Sequence, residues 1–353
     1  MLKQFLNWFD ERLPIQGVRS YFLKKEVPVH RHSIWYYFGG LTLTFLVVQI
    51  LTGILLAFYY KPSPDGAHES ILKITNEVPF GWLIRSLHGW SANLMIASMF
   101  VHMFSAFLMK AYRKPRELMW ITGVLLLFLV LGFGFTGYLL PWDTMAYFAT
   151  LIGTEVPATL PGVGDWGVTL LKGGFEVGGE TLTRMYSLHV IILPLVTLVV
   201  VTLHLLMNQV FGPSIPIGTT TSKPAIRFFP NFLYRDLISW IIGLIVLLGL
   251  ATIYPSELGE KADPLASAPF GIKPEWYFLP LYQSLKIVPS TIFSISGELV
   301  VNLFAMIGSA FWMMVPFIDR NSSRGRKSIP FTVLGICLIL YLATTIILAY
   351  ATT

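Results

Sequence analysis

The 353-residue chain is poor in charge and almost devoid of cysteine. Asp, Glu, Lys and Arg make up 12% of it, about half of the roughly 25% usual in a soluble globular protein. So few charges cannot coat the two or three soluble domains that the length would otherwise suggest. The single cysteine, Cys337, excludes an internal disulfide, a CxxCH attachment site and any cysteine-ligated metal cluster. Low-complexity tracts are missing as well. The 29 glycines and 22 prolines are scattered among apolar runs, which excludes a collagen and a disordered chain. The first 33 residues lack an apolar stretch ahead of a small-residue cleavage site, so they do not read as a cleaved signal peptide.

Apolar residues are what the chain has in excess, at 54%. A hydrocarbon core of about 30 Å takes roughly 20 apolar residues as helix, and seven such runs are present: 34–60, 81–109, 117–140, 185–211, 236–254, 299–318 and 329–350. Backbone polar groups inside lipid must pair within their own segment, so each run is expected to be a helix. Residues 1–33 read as an amphipathic surface segment with Phe5, Trp8 and Phe9 at the interface.

The net charge of +6 is gathered in short loops, a pattern of membrane topology and not of nucleic-acid binding. With the N-terminus cytoplasmic, segments 1–33, 110–117, 212–236 and 319–328 share one side and hold 17 Lys/Arg against 6 Asp/Glu. The opposite side holds 8 Lys/Arg and 13 Asp/Glu. The N-terminus is therefore expected inside and the C-terminus outside. Two outer loops, 141–184 and 255–298, are rich in Trp and Pro and are expected to be ordered by short helices. The Pro/Ser/Thr-rich stretch 212–235 reads as a linker between an N-terminal unit, 34–211, and a C-terminal unit, 236–353.

Four histidines lie inside the second and fourth runs, where an unpartnered polar ring is costly. His102 follows His88 by 14 residues, and His204 follows His189 by 15. Either interval is close to four helical turns and spans about 21–22 Å. Each pair therefore shares a helical face. The two helices run in the same direction, so His88 meets His189 at one depth and His102 meets His204 at the other. Two facing imidazoles at each level are what bis-histidine haem ligation requires. Ordinary buried histidines are the alternative, but matched levels on two parallel helices argue against it. His30, His32 and His68 lie outside the runs and read as solvated surface residues.

Gly39 and Gly53, and likewise Gly123 and Gly137, repeat the 14-residue interval on the first and third runs. They would let a flat macrocycle approach the backbone, although small-residue helix packing also uses such glycines. Arg85, three residues before His88, is placed to neutralise a haem propionate or to snorkel to the interface. The fold class is thus an all-α integral membrane protein, a four-helix di-haem bundle followed by three further transmembrane helices.

The segments PRELMWITGV at 115–124, TGYLLPWD at 136–143, TLTRMYSLH at 181–189 and PEWYFLP at 274–280 accompany the four histidines. Together they resemble cytochrome b of the cytochrome bc1/b6f family over nearly the whole chain. The 15-residue interval and the three helices after the bundle look like a cytochrome b6 fused to its subunit IV. The position where the b6 branch often carries a cysteine for a covalent third haem is matched here by Tyr37, so no covalent c-type haem is expected.

That resemblance implies quinol oxidation at the outer side, two non-covalent b haems as an electron path, and quinone reduction at the inner side, coupled to proton translocation. Glu275 of the PEWY motif would be the outer proton acceptor. Tyr138 would be the second catalytic residue, Pro274, Trp276 and Tyr277 would wall that site, and Tyr138, Pro141, Trp142 and Asp143 would form the neighbouring wall and the docking face for an iron–sulfur partner. Interfacial-belt placement remains the alternative for these aromatics. Gln209, Arg235 and Asp236 would form the inner quinone site, with positive-inside anchoring the alternative for Arg235. The implied partners are a Rieske iron–sulfur protein, a c-type cytochrome, membrane lipid and a second copy of the complex, in a prokaryotic plasma membrane. A haem b anchor of a dehydrogenase and a haem-free transporter are the competing readings. The first needs no PEWY loop, and the second does not account for two matched histidine levels.

Overall fold

The computed structural model describes residues 2–13, 17, 20, 23–162, 164–219 and 225–352. Among them, seven helical segments are long and apolar enough to cross a membrane: Ser33–Ala57, Gly81–Leu108, Glu117–Tyr138, Gly179–Phe211, Phe228–Ile253, Gly297–Ser323 and Ile329–Ala351. The chain is a multi-pass membrane protein. In chain order the helices are α1 (Leu2–Arg12), α2 (Tyr37–Ala57), α3 (Ala67–Asn76), α4 (Gly81–Leu108), α5 (Glu117–Tyr138), α6 (Thr144–Glu155) and α7 (Gly164–Lys172). They continue with α8 (Gly179–Ser187), α9 (Leu193–Phe211), α10 (Leu233–Ile253), α11 (Leu279–Ile287), α12 (Gly297–Ile318), α13 (Arg320–Ser323) and α14 (Ile329–Ala351). In α1, Phe5 and Trp8 are exposed, as an interfacial helix requires.

Helices α8 and α9 are one span joined by a π turn, Leu188–Ile192. Pro194, at the start of α9, has no N–H to return to the carbonyl four residues back. The wider turn takes in one extra residue. Fifteen residues that include one wide turn therefore sweep nearly the angle of fourteen regular ones. This is why the unequal histidine intervals still bring both pairs to matching faces.

Helix α2 lies along α4, α9 lies along α5, and α4 adjoins α5 to complete the bundle. Phe45, Met95, Ile96, Val130 and Leu247 form its central core. Helix α10 packs on α4 and α2, α12 on α5, and α14 on α4 and α11. Polar groups reinforce these contacts where water is excluded: Ser86 donates to the Ala251 carbonyl at 2.9 Å and Trp120 Nε1 to the Trp312 carbonyl at 2.9 Å.

The two long loops are ordered, and each holds the other. Thr144 N–H donates to the Glu260 carbonyl at 2.9 Å, and Ala262 N–H donates to the Trp142 carbonyl at 3.0 Å. At the opposite end, β1 (Glu26–Val27) pairs antiparallel with β2 (Ile226–Arg227), and a π turn, Phe228–Phe232, leads into α10. The stretch expected to be linker, 212–235, is thus structured from residue 226 onward. Its residues 220–224, and parts of the 1–33 segment, lie outside the described residues.

Candidate functional site

The rings of His88 and His189 face each other across α4 and the α8–α9 junction, with centroids 6.3 Å apart. Two imidazoles on opposite sides of one metal ion, each at about 2 Å, place their ring centres about 6 Å apart. His102 and His204 line one cavity of about 340 Å³ together with Gly39 and Gly123. Each glycine faces a different histidine. A Cβ added at Gly39 would lie 3.0 Å from His102 Cε1, at Gly53 3.3 Å from His88, at Gly123 3.3 Å from His204 and at Gly137 2.6 Å from His189. The glycines therefore make room for the imidazole rings themselves.

Threonines orient three of the rings. Thr52, Thr122 and Thr136 place Oγ1 at 2.9, 3.0 and 3.1 Å from Nδ1 of His88, His204 and His189 respectively. Each hydroxyl proton is already given to a carbonyl of its own helix, at Val48, Leu118 and Gly132. The oxygen can then only accept, which places the proton on Nδ1 and leaves the Nε2 lone pair free for a metal. Among the described residues no group of three or more His, Cys, Asp or Glu side chains converges. A metal held between two imidazoles must therefore bring its other ligands with it, as haem iron does. The residues present fit a haem at each level.

Beside His88 a cavity of about 480 Å³ is lined by Gly89, Trp90, Asn93, Tyr254, Ser256 and Glu275, among others. Burial pushes the Glu275 carboxyl above its ordinary range. Pro274 precedes it, and Trp276 turns inward to donate Nε1–H to Asn93 Oδ1 at 2.7 Å. The Tyr277 ring stands so close to α5 that a Cβ at Gly134 would lie 2.6 Å from its hydroxyl. Burial first, then Glu275 and Tyr138, push that phenol well up. Tyr138, at the end of α5, thus shares an electrostatic neighbourhood with the PEWY segment. At the other level Gln209 and Asp236 line the 340 Å³ cavity with Lys25, Tyr36 and Arg116, and Lys25 Nζ donates to Gln209 Oε1.

The profile of the family described as Cytochrome b/b6/petB matches residues 23–212, more than half of the chain. The chain belongs to the cytochrome b/b6 family. A second profile, described as Cytochrome b(C-terminal)/b6/petD, matches residues 261–353, so both parts are joined in one polypeptide. The chain is 52% identical over 349 residues to a cytochrome bc complex cytochrome b subunit of Chlorobaculum thiosulfatiphilum, covering 98% of this chain and 80% of that one. It is 48% identical over 216 residues to cytochrome b6 of Cyanidium caldarium, covering 61% of this chain and all of that one. A solved structure described as a hyperthermophilic respiratory Complex III aligns with TM-score 0.86 and 29% identity over 98% of this chain and 91% of that one.

Within this family member several residues stand elsewhere than the sequence suggested. Arg85 gives both terminal nitrogens to backbone, at the Ser256 carbonyl (2.7 Å) and the Glu257 carbonyl (2.6 Å). It ties α4 to the chain leaving α10. Trp142 is 2% exposed and packs edge-on to Tyr147. It is a core residue and presents no docking face, while Pro141 beside it is half-buried. Arg235 is exposed and is not in the cavity lining, although Asp236 next to it is; adjacent positions on a helix point about 100° apart. His30 and His68 are not solvated, being 4% and 7% exposed. His68 Nε2 bonds the Gly259 carbonyl at 2.9 Å, and His30 Nε2 meets the Tyr36 hydroxyl at 2.5 Å, at the edge of the 340 Å³ cavity.

Sequence reasoning missed Thr52, Thr122, Thr136 and Asn93. The signal for the threonines was in plain view, since each immediately precedes one of the ligand-facing glycines. Asn93 carried none beyond its polarity within an apolar helix.

Proposed function

We propose that this chain is the quinol-oxidising, di-haem cytochrome b subunit of a Rieske/cytochrome b complex. Its b6-like four-helix unit would be 34–211 and its subunit IV-like unit 236–353. The observation that carries the reading is the pair of histidine levels, each with two imidazoles admitted by glycines. Two non-covalent b haems, when bound, would pass one electron at a time between the two depths of the bilayer, with no covalent c-type haem.

His88 and His189 would hold the outer haem, and His102 and His204 the inner one. The Lys/Arg bias supports a reading with the Glu275 cavity outside and the Gln209/Asp236 cavity inside. Glu275 receives a proton from the quinol hydroxyl, its carboxyl held above the ordinary range by burial. Trp90, Asn93 and Tyr254 line that pocket with Glu275; Trp276 holds Asn93 from behind, Tyr277 and Tyr138 stand near the Glu275 carboxyl without lining the cavity, and Pro274 sets the turn that presents Glu275. Asp236 and Gln209 bond the quinone head at the inner side, where protons are taken up. Net proton release outside and uptake inside charges the membrane. One electron per quinol leaves through a Rieske iron–sulfur partner toward a c-type cytochrome, within a dimer of complexes in a prokaryotic plasma membrane. The respiratory Complex III relative supports this assembly.

The test is a reduced-minus-oxidised spectrum with a haem assay on the purified protein. Two low-spin b haems per chain are expected, and fewer than two with all four histidines intact would overturn the reading.

A further inference from the structure

Three of the four ligand histidines share a neighbour that the fourth lacks. Gly53, Gly123 and Gly137 each follow a threonine whose hydroxyl receives the Nδ1 proton of the histidine that the glycine admits. Gly39, which admits His102, follows Phe38. Phe38 stacks on Trp35 at 5.7 Å and has nothing to accept a proton. Among the described residues the one side-chain hydrogen bond to His102 is at its carbonyl, from Ser105, whereas His189 and His204 also meet the backbone of Phe133 and Met119. The His88/His189 level thus has two hydroxyl acceptors and the His102/His204 level has one.

We propose that Thr52, Thr136 and Thr122 are positioning residues that tune the reduction potentials of the two haem sites, and that Phe38, by withholding a fourth hydroxyl, makes the His102/His204 site the more oxidising. This rests on the di-haem reading above. An imidazole that donates Nδ1–H to an oxygen becomes a stronger donor through Nε2, which favours oxidised iron. With two such ligands the His88/His189 site holds its electron less firmly than the site with one. With haem bound at both levels, this difference would favour an electron at the His102/His204 level over the His88/His189 level. The bias points away from the quinol cavity, so residue 38 helps set the direction of flow.

The test is an optical redox titration of the assembled complex. Thr52→Val and Thr136→Val should each raise the midpoint of the lower-potential haem by about a tenfold change in its reduction equilibrium, about 59 mV for a one-electron couple. Thr122→Val should raise the higher one. The serine variants at the same positions, which keep the hydroxyl, should titrate as the parent. Phe38→Thr should lower the higher midpoint and narrow the gap. Midpoints that stay at parental values in all three valine variants, with both haems bound, overturn the proposal. An unmoved midpoint in Phe38→Thr overturns the role given to residue 38. Where a valine variant loses its haem, NMR of the reduced parent complex with 15N-labelled histidine decides. Three strongly hydrogen-bonded Nδ1 protons and one weak one support the proposal, and four alike overturn it. A parent complex without haem would defeat the di-haem reading itself, which is a different result.

Discussion

At Gly137 a single methyl group decides whether His189 keeps its place. A Cβ there would sit 2.6 Å from the imidazole, against 3.0 Å at Gly39 and 3.3 Å at Gly53 and Gly123. Gly137→Ala is expected to cost about 1–3 kcal/mol of overpacking, and Gly53→Ala less. Thermal melts with haem retention as the readout should rank the four alanine variants in that order. At Glu275, replacement by Gln removes the proton acceptor and leaves the cavity's shape. Quinol oxidation is expected to fall ~10²–10⁴-fold with both haem spectra intact. Because burial raises the Glu275 pKa, the acid limb of the rate profile should lie above the roughly 4.3 of a free glutamate. Activity is lost as pH falls through that raised value, and a steady-state pH profile checks it. The pairing of the four histidines was legible because an interval near four turns returns a side chain to the same helical face. Arg235 and Trp142 were not placed correctly, because a motif names neighbours in sequence and says nothing about which of two adjacent side chains turns inward. The threonines escaped because a hydroxyl in a membrane helix ordinarily serves its own backbone, and these do so while also receiving a ring proton.

Among the elements, all seven spans were legible from apolar run length, most with their ends to within a few residues, but the starts of two were not. The fourth begins at Gly179 and the fifth at Phe228, both earlier than hydropathy suggested, because amphipathic and π turns extend them beyond the apolar core. The π turn at Leu188–Ile192 makes a specific forecast. Deleting Ile192 removes the extra residue, restores a regular helix with a 14-residue interval and should leave both haems bound. Inserting one alanine after Leu198 instead rotates His204 by about 100° relative to His189 and should cost one haem per chain. A haem assay on the two purified variants distinguishes these outcomes.

For the whole molecule, the Lys/Arg asymmetry assigns the sides, and labelling can test it. In a Cys337→Ser background, a cysteine at Glu180 should react with an impermeant maleimide added to intact cells. A cysteine at Lys114 should react only after the membrane is opened. The reverse pattern would invert the proposed quinol and quinone sides. The order in the two long loops, expected from their composition, arises from a source the sequence did not expose: backbone pairing between 142–144 and 260–262, which no local pattern encodes.

That cross-loop clasp, together with the Arg85 fork on Ser256 and Glu257, grips the C-terminal third at the end of the bundle opposite the Phe211 terminus of α9. Peptide continuity is therefore redundant for cohesion. Two separately translated halves, cut near Thr219, should find each other, copurify and carry the full haem complement. A gene split at this point could have persisted without first having to invent an interface.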